Sequence, residues 1–171
     1  MTELEFWSTD KRFGLKVPRM EVKEALRLCE RSVPNETGGI LLGRYSAAHD
    51  CAVVMAVTGA PADSHSGRTW FIRGVRGLQR TVDHLWGRQR GYYLGEWHFH
   101  PGGAPKPSPT DVQQMREIAG SEQYHCPEPV LLIIGGEPKG KWSAGAYVFP
   151  RASPYIELLA KNITAEKDES V

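Results

Sequence analysis

Two histidines, His98 and His100, are separated by a single residue in the run Trp97-His98-Phe99-His100. On a β-strand, residues two apart leave the same face, so both imidazoles can converge on one cation while Trp97 and Phe99 pack on the opposite side. Alone, such a pair is equally compatible with two polar side chains lining a solvated face. A third donor strengthens the case. Eleven residues beyond His100, past a loop punctuated by glycine and proline, Asp111 falls in the first turn of an expected helix. Two imidazoles and a carboxylate form a catalytic zinc set, because they leave a fourth tetrahedral position for water. Asp111 also reads as ordinary helix-start chemistry, with Ser108 as cap, Pro109 at the first helical position and an acid three residues after the cap. Both readings hold together, since a capped helix would fix the direction of the carboxylate.

Zinc lowers the pKa of water from about 15.7 towards ~7, yet a neighbouring carboxylate is still needed to take the proton and pass it to the leaving amine. Two acids compete for that role. Glu36 directly precedes Thr37-Gly38-Gly39, where small residues let a substrate backbone approach closely. Glu96 shares the expected strand face of His98 and His100, which suits a base or a group supporting the ligands from behind. The residues alone leave this choice open. His125 and Cys126 are adjacent, lack partners at ligand spacing, and make a poor second metal site.

The elements that must position these groups follow from periodicity. Weak alternation over 12–17 predicts a strand, Pro18 starts a helix, and Val22, Ala25, Leu26, Cys29 and Val33 place an apolar stripe on it. The short apolar runs 38–45 and 51–58 predict a hairpin, and 69–72 predicts another strand. Val75, Leu78, Val82, Leu85 and Trp86 mark a second helix, 92–98 the strand that carries the histidines, and Val112, Met115, Ile118 and Ala119 a third helix. Strands over 129–134 and 142–149 close the pattern, and a short helix is expected over 154–161. Helices alternating with hairpin-like strand pairs predict an α/β (α+β) fold, a mixed β-sheet covered by helices.

With 171 residues, one domain over 1–163 is expected, followed by a charged tail at 164–171. Lys and Arg total 21 against 20 Asp and Glu, so no strong field is available to hold nucleic acid or an anionic membrane. There is no signal-peptide core and no run of about 18 apolar residues, so a cytoplasmic location is expected. The 3 cysteines lack Cys-x-x-Cys spacing and read as reduced packing residues. The missing Cys-x-x-Cys pair also argues against a zinc-dependent base deaminase.

Taken together, Glu36-Thr37-Gly38-Gly39-Ile40-Leu41-Leu42-Gly43, then His98-x-His100-Pro101, then Ser108-x-x-Asp111 resembles the JAMM (MPN-plus) metalloprotease family over about residues 12–149. The resemblance implies a three-layered, cytidine-deaminase-like fold. It implies one zinc ion per chain on His98, His100 and Asp111, with Glu36 as acid and base on the water and Ser108 as donor to the tetrahedral oxyanion. Glu96 is then left as a supporting group. Such enzymes cleave peptide or isopeptide bonds after the terminal glycine of a ubiquitin-like tail. The wording around Gly95-Glu96-Trp97-His98 resembles bacterial members, some of which reverse conjugation of a cGAS-like nucleotidyltransferase tail in antiphage (CBASS) operons. Release of a sulfur-carrier (ThiS- or MoaD-like) tail, or non-catalytic tail binding, would use the same residues. The short segment 120–129 leaves little room for an insertion that grips a second ubiquitin.

Overall fold

The computed structural model describes residues 3–89 and 91–161. Its elements are β1 (Leu4–Trp7), β2 (Gly14–Val17), α1 (Arg19–Ser32), β3 (Thr37–Tyr45), β4 (Cys51–Val57), β5 (His65–Ser66), β6 (Phe71–Ile72), α2 (Leu78–Gln89), β7 (Tyr92–Pro101), α3 (Pro109–Gly120), a 3-10 turn (Glu122–Tyr124), β8 (Val130–Gly136), β9 (Trp142–Val148) and β10 (Ile156–Ala160). Eight strands close on themselves in the order β1-β10-β9-β8-β7-β3-β4-β2, and β5 and β6 form a separate hairpin. The pairs β2/β4 and β7/β8 are parallel and the rest antiparallel, so the sheet is mixed.

The central strands β3, β7 and β8 bury both faces, and that is why β3 and β8 read as continuous apolar runs rather than alternating ones. One face packs on α1: Val22, Ala25, Leu26 and Cys29 meet Leu15, Val54, Trp97, Phe99, Leu132 and Ile134. The other face packs on α3, where Met115 and Ile118 meet Leu131, Ile133, Tyr147 and Phe149. The sheet therefore lies between two helical layers, in the arrangement expected. Burying large apolar side chains contributes about 1.5–3 kcal/mol each, so the floor beneath the histidines is rigid. All three cysteines are free and buried, as expected of packing residues.

Two expectations need correction. The segment 154–161, expected as a short helix, contains strand β10, pairing with β9 on one side and β1 on the other. So short a helix is marginal alone, whereas two strand edges offer unpaired backbone groups. Its partner β1 had no counterpart in the periodicity reading, because four residues do not reveal that they will close a sheet. The strand expected over 69–72 shrinks to Phe71–Ile72. The expected tail, 164–171, lies outside the described residues. No described helix is long and apolar enough to cross a membrane.

Candidate metal centre

His98 and His100 both lie on β7 and face the α3 layer, while Trp97 and Phe99 enter the core on the α1 side. The neighbouring strand β3 runs antiparallel to β7, pairing Thr37 with Phe99 and Gly38 with His98. One step further along that register brings Glu36 across from His100. Gly38 is required there, because a Cβ on it would lie 2.3 Å from the Trp97 carbonyl oxygen and 2.9 Å from the His98 ring. Even an alanine would push β3 away from the histidine strand.

The third group arrives on α3. Ser108 caps this helix: its Oγ accepts from the Asp111 N–H at 3.1 Å, and its own N–H donates to Asp111 Oδ2 at 2.7 Å. Both halves of the expected capping box are present, with Pro109 at the helix start. The box aims the Asp111 carboxylate back at β7, where Oδ1 lies 2.8 Å from His98 Nδ1 and Oδ2 lies 3.4 Å from His100 Nε2. Donor atoms of His98, His100 and Asp111 all fall within 4.8 Å of one another, a grouping able to hold a metal ion.

Burial and charge act together here. His98 is 1 % exposed and Asp111 3 %. Burial opposes ionisation of Asp111, but the neighbouring His100 ring and the hydrogen bonds to His98 and from the Ser108 N–H hold its carboxyl far below the usual range. Burial likewise works against a charged His98, yet Asp111 and Glu96 push its pKa up to about 9. His100 is raised in the same way, chiefly by Asp111 against burial. Glu36 is shifted upward, first by burial and then by the Asp111 charge, with both histidines pulling the other way.

The fit to a metal rests on the histidines. Nδ1 of His98 lies beside Asp111 Oδ1, and Nε2 of His100, buried and without a hydrogen-bond partner, lies beside Asp111 Oδ2, so each ring turns one nitrogen towards the same carboxylate. Two imidazoles and a carboxylate supply donors of the type a catalytic zinc site uses, three rather than four among the described residues.

The structure also assembles groups that no spacing indicated. Arg73, just after β6, reaches into the interior and binds Glu96 Oε1 through Nε and Nη2, both at 2.7 Å. Phe71 stands edge-on to the His98 ring, with centroids 5.4 Å apart. The loop after His100 is held from beneath by Tyr147, whose hydroxyl donates to the Pro105 carbonyl at 2.9 Å. None of these residues carries a motif, since each acts through tertiary placement alone.

Comparison with known proteins gives the chain's family. The family model describing prokaryotic homologs of the JAB domain matches residues 19–145. A CD-NTase/cGAS isopeptidase from Enterobacter hormaechei is 42% identical over 156 residues, 91% of this chain and 86% of that protein. A probable metalloprotease, y4qB, from Sinorhizobium fredii is 28% identical over 77% of this chain and 81% of its own length. The solution structure of protein DSY2949 from Desulfitobacterium hafniense shares the fold with a TM-score of 0.59 at 19% identity, covering 85% of this chain and 88% of that one. The chain belongs to the prokaryotic JAB-domain family and is a metallopeptidase.

Proposed function

We propose that His98, His100 and Asp111 hold one zinc ion, and that the chain cleaves the bond after the terminal glycine of a ubiquitin-like or nucleotidyltransferase C-terminal tail. The observation that carries this reading is the convergence of one ring nitrogen from each of two buried histidines, Nδ1 of His98 and Nε2 of His100, on one capped carboxylate. When bound, zinc supplies Lewis-acid polarisation of the scissile carbonyl and makes water acidic enough to react near neutral pH.

The protein's own groups supply the rest. Glu36, lifted in pKa by burial, takes the proton of the attacking water and returns it to the leaving amine. Ser108 is suited to the developing oxyanion for a specific reason. Its Oγ spends lone-pair capacity on the Asp111 N–H, so its O–H hydrogen stays free to donate to substrate. Gly38 and Gly39 keep the strand beside the site free of side chains, which suits an extended tail ending in glycine. The name of the Enterobacter relative favours a nucleotidyltransferase conjugate over a sulfur-carrier tail as substrate. The free cysteines support a cytoplasmic setting.

The test is cleavage of purified fusions that place a candidate tail, ending in glycine, before the scissile bond, with the cut identified by mass spectrometry. Zinc-loaded protein should cut after the glycine, Glu36→Gln should retain zinc without turnover, and Asp111→Ala should lose both. Full turnover in either variant refutes the assignment.

A further inference from the structure

Glu96 and Arg73 form a buried ion pair that the proposed reaction does not use. Their side chains are 2 % and 5 % exposed, an unusual depth for two charges unless they serve each other or a neighbour. The pair is organised asymmetrically. Oε1 of Glu96 takes Arg73 Nε and Nη2 together with the Tyr93 hydroxyl at 3.2 Å. Arg73 is fixed in turn by the Tyr124 hydroxyl, to which Nη2 donates at 2.9 Å, and by the Gly74 carbonyl, to which Nη1 donates at 2.6 Å. Oε2 is therefore the atom turned towards His98, 3.6 Å from the buried Nε2 that has no hydrogen-bond partner. On the other edge of the same ring, Nδ1 faces Asp111.

We infer that Glu96, held by Arg73, is a positioning residue for His98: with the metal bound, its Oε2 closes the present 3.6 Å to take the Nε2–H, fixes that tautomer, and leaves the Nδ1 lone pair for the metal. This rests on the proposed zinc site at His98, His100 and Asp111. A histidine that binds a metal through one nitrogen normally donates its other N–H to a carboxylate or carbonyl, which sets ring orientation and raises ligand basicity. His100 has its own counterpart, with Nδ1 3.4 Å from the Ala104 carbonyl. The two rings thus present opposite nitrogens to the centre, Nδ1 from His98 and Nε2 from His100. Arg73 cancels the charge that an isolated Glu96 would bring beside the ion, so the carboxylate orients His98 without itself competing for the metal. Because Arg73 follows β6 directly, the β5–β6 hairpin is anchored to the same ring from two sides, by the ion pair and by Phe71.

The test uses the full chain and zinc alone. In the wild-type zinc protein, nitrogen-15 NMR should show His98 protonated at Nε2 and metal-bound at Nδ1. This measurement needs no variant, so a substitution that fails to fold cannot shield the inference. Glu96→Gln should weaken zinc by about 10- to 100-fold in a chelator competition. Arg73→Lys, which keeps the positive charge, should restore most of the affinity lost in Arg73→Met. Nε2 coordination of His98, or unchanged zinc affinity in a folded Glu96→Gln protein, overturns the inference while leaving the zinc site standing. Failure of the wild-type chain to bind zinc at all overturns both.

Discussion

The loop between His100 and Ser108 sets how far α3 stands from β7, and one glycine beneath it offers a sharp perturbation. A Cβ placed on Gly145 of β9 would lie 2.3 Å from the Pro105 carbonyl oxygen and 3.1 Å from the Tyr147 hydroxyl. Relief to an ordinary contact of 3.4 Å requires the loop to rise by about 1.1 Å, the difference between those two distances. That oxygen is also the acceptor for Tyr147, so the displacement breaks the loop's tether. The adjacent Ala104 carbonyl is only 3.4 Å from His100 Nδ1, and a shift of this size removes it as a partner. Overpacking of this kind costs about 1–3 kcal/mol, or roughly 2–12 °C in Tm for a chain of this size. Loss of the His100 partner should lower zinc affinity by about tenfold or more, and a misplacement near 1 Å should cut kcat/KM by about 100-fold. Thermal unfolding, chelator competition and steady-state cleavage of Gly145→Ala measure the three effects separately. A folded variant with wild-type zinc affinity and turnover would show that the loop does not position the site.

Two further outcomes follow from the same geometry. Ser108→Ala should lose about 1 kcal/mol of stability with the cap, and about 10²- to 10³-fold in kcat with the oxyanion donor, while Ser108→Thr retains the cap; denaturant titration and initial rates separate the two, and a kcat within a few fold of wild type refutes the donor role. Zinc uptake should depend on pH because His98 keeps its proton up to about pH 9 in the metal-free protein, against 6.5 for an ordinary histidine. The raised value stabilises the metal-free fold fully below about pH 6.5, and that contribution disappears as pH rises through about 9. Zinc must displace this proton, so apparent affinity should climb across the same window and then level off, and a flat profile in a chelator competition would refute it.

Much of the scaffold was legible because its elements carry long periodic signals. The stripe on α1, the capped start of α3 and the Trp97-to-His100 alternation each encode their own geometry within a few residues. The grouping of the candidate site was legible for the same reason, since strand parity aligns His98 with His100 and the capping box aims Asp111. What stayed hidden depends on partners distant in the chain. Leu4–Trp7 and Ile156–Ala160 become strands by pairing with each other and with β2 and β9, partners that lie far off in the chain or on other elements. In Ile156–Ala160, only Leu158 is fully buried, a pattern too thin to distinguish strand from helix. Arg73 stands 23 positions before Glu96, and nothing in its neighbours signals that its guanidinium will turn inward.

Asp111 shows why these levels cannot be separated. Its Oδ2 completes the helix cap through the Ser108 N–H, and its Oδ1 meets His98. The same hydrogen bond that satisfies an otherwise unpaired N–H at the start of α3 also removes the rotational freedom of the carboxylate. His98 and His100 are steadied in the same manner, by a strand packed on α1 and by groups on the far side of each ring. The orientation of all three groups is therefore established by forces that fold the chain and would exist without an ion. Binding of the proposed zinc ion would then draw little on conformational entropy, so the free energy of ligation would go into affinity rather than into ordering the site.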